Sequence, residues 1–258
     1  MISDDVRREI QRRLRAVEEE HDVRVLFAVE SGSRAWGFPS PNSDYDVRFI
    51  YAHPREWYLS LDLEERRDVI ECETVDDIDL SGWDIRKALK LFWQSNPSFV
   101  EWLHSPIVYR DQADFAARAR VLLPGVYDLN KGVHHYLGMA DKNYRGYLKA
   151  QLVPLKKYFY VLRPLLAIRW LERHRTPAPV AFERLRTLVA DDADLDGQIE
   201  RLLARKQRSQ EKEFVPVIQA LNEFIEQELS RVSRCSIQTA PPTASLEQLN
   251  TLFRDCLS

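Results

Sequence analysis

Glu30-Ser31-Gly32-Ser33-Arg34-Ala35-Trp36-Gly37-Phe38-Pro39-Ser40-Pro41-Asn42-Ser43-Asp44-Tyr45-Asp46-Val47-Arg48 holds the strongest signal in this chain. It sets a Gly-Ser turn directly after an apolar run and, further on, two aspartates one residue apart. Alternate residues of a strand point to the same face, so Asp44 and Asp46 can aim two carboxylates at one point. Hard cations bind such oxygens. A turn that offers free backbone N–H groups binds phosphate.

Upstream of this stretch, residues 23–29 are rich in Val, Leu and Phe and read as a strand. Residues 3–20 before them read as a helix that Ser3 can cap, with Val6, Ile10, Leu14 and Val17 at helical spacing. The Gly-Ser turn leads into a short helix over 34–36. Residues 39–43 cluster Pro, Ser and Asn, which is loop chemistry. Residues 45–51 alternate, with Tyr45, Val47, Phe49 and Tyr51 on one face and Asp44, Asp46 and Arg48 on the other.

Further downstream, residues 54–68 show no sheet pattern. Residues 69–80 read as an acidic strand, or a hairpin ending in Ile78-Asp79-Leu80. Ser81-Gly82-Trp83-Asp84 is expected to open a helix with Asp84 as its cap. That helix carries Ile85, Ala88, Leu89 and Phe92 and ends before Asn96-Pro97. A short helix over 99–103 and a strand over 107–109 complete the first unit. From Asp111 onward helical spacing dominates, over 111–122, 126–149, 154–173, 181–204, 209–234 and 246–257, with loops expected over 176–179 and 191–196. Ala240-Pro241-Pro242-Thr243 breaks the chain before the last helix. The expected class is α+β, with a mixed α/β unit over 1–110 and an all-helical unit over 111–258.

A length of 258 residues suffices for one large core or two modest ones. A net charge of −3 gives no polyelectrolyte signature for nucleic acid, so any basic groove must be local. Cys72, Cys235 and Cys256 are far apart, odd in number and without metal-ligand spacing. Reduced thiols in the cytoplasm are therefore expected. The N-terminus is charged and lacks an apolar signal region. No uninterrupted apolar run approaches the ~20 residues of a membrane span, and the longest candidate is broken by Arg163, Pro164 and Arg169.

Phosphoryl and nucleotidyl transfer ask a protein mainly to position its substrate and neutralise phosphate oxygens. Two aspartates on one strand face, with a third carboxylate from a neighbouring strand, can hold a Mg²⁺ pair. Gly32 lets the backbone approach phosphate closely, and Ser33 adds a hydroxyl donor. Gly32-Ser33 followed by Asp44-Tyr45-Asp46-Val47 resembles the hallmark of the DNA-polymerase-beta-like nucleotidyltransferase superfamily. More narrowly, several segments resemble the predicted bacterial nucleotidyltransferases of the YcgL type and similar phage proteins associated with RNA-ligase repair. They are Gly-Ser-Arg-Ala-Trp-Gly-Phe, Ser-Asp-Tyr-Asp-Val-Arg-Phe-Ile, Trp57-Tyr58-Leu59, the run from Ser81 to Leu89, Glu101-Trp102-Leu103-x-Ser105-Pro106 and Lys156-Lys157-Tyr158-x-Tyr160-x-x-Arg163-Pro164. The resemblance spans most of residues 23–170. Residues beyond carry no motif of this kind.

The resemblance implies a small mixed sheet flanked by helices and transfer of a nucleoside monophosphate from an NTP, ATP favoured, to an acceptor hydroxyl. It implies Gly32 and Ser33 at the phosphates, and Asp44 and Asp46 on Mg²⁺ or Mn²⁺. A third carboxylate is expected on a later strand. Asp79 is chosen because Ile78 and Leu80 flank it with strand alternation, and Asp77 is the alternate. The acceptor stays open between an RNA end, a protein and a small molecule.

Other residues have plainer readings beside the functional ones. Arg34 could reach a phosphate or pair with a nearby acid, and Arg48 suits an ion pair with Asp46. Asp84 suits a helix cap, and Trp36, Trp83 and Trp93 suit core positions. Lys156 and Lys157 could contact nucleotide phosphates or form an ordinary basic face, as could Arg145 and Lys149. His134-His135 suits a helix surface. Two rival functions remain: a non-catalytic nucleotide-binding module, and a ribonuclease in the helical half, where Arg169 and His174 match a spacing similar to that of HEPN-type enzymes.

Overall fold

Residues 24–30 are buried on both faces after the first position, which suits the middle of a sheet. In the computed structural model, which describes residues 2–210, 213–234, 237 and 243–258, this run is β1 (Arg24–Glu30) of a five-stranded mixed sheet. Cys235 and residues 240–242 of the break expected over 240–243 lie outside the described residues. Strand β2 (Tyr45–Ala52) is antiparallel to β1, and β4 (Ile78–Asp84) is parallel to β2. β3 (Val69–Glu71) and β5 (Val108–Asp111) form the edges, giving the order β3-β4-β2-β1-β5.

Helix α1 (Asp4–His21) starts as expected: Ser3 Oγ accepts the Val6 N–H at 3.3 Å, and Asp4 and Asp5 favour the positive end of the helix. Its buried stripe of Ile10, Leu14 and Val17 joins Val25, Ala28, Val47, Phe49 and Tyr51 in one apolar layer. The short helix α2 (Gly32–Trp36) follows β1 and ends at Gly37, whose φ is +95°. The other face of the sheet packs Phe27, Val29 and Ile50 against α3 (Ile85–Trp93), α4 (Pro97–Leu103) and α5 (Phe115–Val126).

The next helices are α6 (Leu129–Tyr147), α7 (Leu155–His174), α8 (Phe182–Arg186), α9 (Ala193–Arg208) and α10 (Gln219–Val232). They build a second core around α7, which is apolar on nearly all sides and so lies at the centre. Helix α11 (Leu246–Cys256) returns to the first core through Leu249, Leu252 and Cys256. A division at 110/111 assigns α5 and α11 to the second unit, while their apolar faces complete the core of the sheet. No helix of the described residues is long and apolar enough to cross a membrane.

Three local expectations need correction. Ser81 to Asp84 extend β4 rather than open a helix, pairing in register with Arg48 to Tyr51. Gly82 lies so close to the Phe49 ring that a Cβ would come within 2.1 Å of it, and Trp83 stacks on Trp102 at 3.9 Å. Tertiary packing thus outweighs the local helix-start chemistry. The helical half also contains a ribbon of β6 (Leu152–Pro154) against β7 (Phe214–Pro216), two strands too short to show a period. Finally, the break expected over 191–196 falls earlier: α8 gives way to a 3₁₀ turn over Thr187–Val189, and α9 already runs from Ala193.

Candidate active site

Parallel pairing of β2 with β4 sets Asp46 directly opposite Asp79. Asp79 lies at a half-buried strand position, whereas Asp77 is exposed in the preceding turn with φ +59°. Asp44, the residue before β2, is exposed. Arg48, two residues beyond Asp46 on the same face, reaches back to both acids. Its Nη2 donates to Asp79 Oδ2 at 2.7 Å and to Asp46 Oδ1 at 3.2 Å. The expected Arg48–Asp46 pair is present, and it extends to Asp79.

The Gly-Ser turn meets this pair from the other side. Gly32 has φ +58°, and a Cβ built there would fall 2.0 Å from Asp46 Oδ2. The Ser31 N–H donates to the Asp46 carbonyl at 2.8 Å. Turn and carboxylate are therefore neighbours because no side chain separates them. Arg34 braces the loop before Asp44: Nη2 donates to the Ser43 carbonyl at 2.6 Å and Nε to that of Asp44 at 3.1 Å, with the guanidinium 3.9 Å from the Tyr45 ring.

Beneath the turn lies Glu30, fully buried at the end of β1. One oxygen accepts the Asp46 N–H at 3.0 Å and the other accepts the Tyr109 hydroxyl. Burial pushes its carboxyl up to about 7; the charge of Asp46 adds to the rise, while Tyr109, the Asp46 N–H and Arg34 oppose it. Sequence reasoning gave Glu30 no role, although an acid closing an otherwise apolar strand was a visible signal.

Helix α7 approaches the turn through Tyr160, whose ring meets that of Trp36 edge-on at 5.4 Å. Lys157 Nζ lies 4.7 Å from the Tyr160 ring and 3.9 Å from that of Tyr147, and Lys156 is half-buried on the same helix. Trp36 also leans on the guanidinium of buried Arg163 at 4.7 Å. Arg163 bonds Glu101 of α4 at 2.8 Å. Other candidates have structural engagements. Asp84 caps α3 by accepting the Arg86 N–H at 2.7 Å. Arg145 pairs with Asp141, and Lys149 with Glu226. Arg169 is held by both oxygens of buried Glu228, and His174 packs on Trp170. His134 and His135 are exposed.

Among the described residues no three Asp, Glu, His or Cys side chains form a ready-made metal cage. Mg²⁺ does not require one, since it is commonly held by one or two carboxylates together with waters and substrate phosphates. Asp46 and Asp79 fit that role, because both already converge on a single cationic nitrogen of Arg48.

Known proteins resemble this chain over most of its length. The uncharacterized protein YcgL of Bacillus subtilis (strain 168) is 46% identical over 219 residues, 85% of this chain and 84% of that protein. A crystal structure of a nucleotidyltransferase-like protein from Exiguobacterium sibiricum 255-15 is similar over 94% of this chain and 75% of that one, with 14% identity and a TM-score of 0.33. The family described as RlaP, RNA repair pathway DNA polymerase beta family, matches residues 6–255, from the first turns of α1 to the end of α11. With a match of that extent, the chain belongs to the RNA repair pathway DNA polymerase beta family.

Proposed function

We propose that this protein transfers a nucleoside monophosphate from an NTP to a hydroxyl at an RNA end. The observation that carries the reading is the register pairing of Asp46 with Asp79 beside Gly32. The words RNA repair pathway in the family description support an RNA acceptor over a protein or a small molecule, and ATP is the favoured donor. Asp44, Asp46 and Asp79 are the residues that would hold Mg²⁺ or Mn²⁺, which when bound neutralises phosphate charge and lowers the barrier to attack. Gly32 and Ser33 bring backbone against the triphosphate, and Lys156 and Lys157 supply positive charge from α7. The acceptor oxygen bonds to the α-phosphorus as the bond to the pyrophosphate oxygen breaks, and Asp79 takes the hydroxyl proton. Free thiols at Cys72 and Cys256 fit a reducing, cytoplasmic setting.

The test offers an NTP labelled at the α-phosphate, with Mg²⁺ or Mn²⁺, to RNAs bearing free terminal hydroxyls. Labelled RNA is expected, and loss of label in Asp46→Asn. Transfer that survives Asp44→Asn together with Asp46→Asn overturns the reading. One observation favours the second reading, a non-catalytic nucleotide-binding module: Arg48 already serves as counter-ion to both acids. Nucleotide-dependent thermal stabilisation without turnover would support that alternative.

A further inference from the structure

Residues 37–44 join α2 to β2 and deliver Asp44, and much of their anchorage comes from the helical half. Phe38 packs 4.5 Å from the Phe159 ring and 5.5 Å from that of Phe182. Two residues on, Ser40 is 3% exposed and meets Lys206 of α9, itself 2% exposed. Lys206 Nζ donates to Ser40 Oγ at 2.5 Å, and Ser40 Oγ donates to the Lys206 carbonyl at 3.0 Å. Ser40 and Ser43 close a tight turn: the Ser40 N–H donates to Ser43 Oγ at 2.9 Å, and the Ser43 N–H donates to the Ser40 carbonyl at 3.2 Å. Arg34 then takes the carbonyls of Ser43 and Asp44. An unbroken run of hydrogen bonds therefore links Lys206 to the backbone of Asp44.

A lysine on an outer helix normally leaves its head in water, and burying it is costly without bonded partners. On α9, Arg205 and Arg208 are exposed while Lys206 turns inward to the loop. We propose that Lys206 is a positioning residue for the acid site: through Ser40 and Ser43 it fixes where Asp44 stands relative to Asp46 and Gly32. What Asp44 does rests on the nucleotidyl-transfer reading above; the loop's dependence on Lys206 does not.

The test uses the full chain carrying Ser40→Ala and Lys206→Met, singly and together. Amide hydrogen exchange at Ser40 and Ser43 is measured first. Mn²⁺ affinity with a non-hydrolysable ATP analogue is measured second, by electron paramagnetic resonance. Each single variant is expected to speed exchange at both amides by about tenfold and to weaken Mn²⁺ binding by about tenfold. The double variant should be no worse than the weaker single, because both break one path. A lysine with a merely structural role would shift the melting temperature and leave Mn²⁺ affinity unmoved. Mn²⁺ binding as tight as wild type in both singles overturns the proposal, as does unchanged exchange at Ser40 and Ser43. Wild-type protein that binds no Mn²⁺ with the analogue is a different result: it overturns the nucleotidyl-transfer reading, and amide exchange still decides whether Lys206 holds the loop.

Discussion

Gly32 combines a left-handed φ of +58° with a carboxylate oxygen 2.0 Å from where its Cβ would be. Gly32→Ala therefore meets backbone strain and a clash together, and should lower the unfolding free energy by about 1–3 kcal/mol. Urea melts read this directly; no loss would mean that neither the left-handed backbone nor the nearby Asp46 carboxylate restricts this position. Glu30 gives a prediction of a different kind. Its folded-state pKa of about 7 stands above the ordinary 4.5 because of burial, so folding takes up a proton between those values. The stability it contributes is whole below about pH 4.5 and is lost as pH rises to about 7. The full change is on the order of 3 kcal/mol. Glu30→Gln keeps an oxygen to accept the Asp46 N–H but cannot ionise. Wild type should lose stability relative to this variant across that range. A constant difference in matched urea titrations from pH 4.5 to 8 would rule out the buried carboxyl as the source.

At the scale of elements, the pairing of β2 with β4 makes the site. Two carboxylates opposed across parallel strands repel each other unless a cation lies between them, and Arg48 is that cation here. Arg48→Met should melt at lower temperature than wild type in EDTA and gain more from added Mn²⁺, because the metal then meets no internal competitor. Equal gains in the two proteins would show that Arg48 does not compete for the acids. The sequence revealed β2 through its alternation and α3 through its apolar spacing and the Asp84 cap. It misread Ser81 to Asp84, where Ser and Asp suggest a helix start but Phe49 and Trp102 hold the backbone extended. The β6–β7 ribbon was invisible because three residues cannot display a period.

For the whole molecule, the buried Arg163–Glu101 pair ties α7 to α4, and Trp36 lies over the guanidinium. Arg163→Met alone leaves the Glu101 carboxylate with the Tyr136 hydroxyl as its remaining named partner. It should cost about 3 kcal/mol or more, much of which Glu101→Gln in the same chain should restore. A double-mutant cycle in urea measures the coupling, and strict additivity would show that the pair contributes nothing as a pair. The same substitution removes support from Trp36, so the halves of the molecule and the Gly-Ser turn are coupled through one side chain. Helix α11 adds a further tie by covering the core of the sheet from the far end of the chain.

The sequence by itself determined the Gly-Ser turn, Asp46 on the polar face of β2 with Asp44 just before that strand, and the order of an α/β unit before a helical one. These follow from local periodicity and turn chemistry, which are written within a few residues of one another. Only the tertiary structure decided that Asp79 faces Asp46, that Glu30 lies beneath both turn and strand, and that Lys206 and Arg163 reach back from the helical half. Those contacts join residues far apart in the chain. They depend on strand register and on which faces share a core, and no single window of sequence carries either.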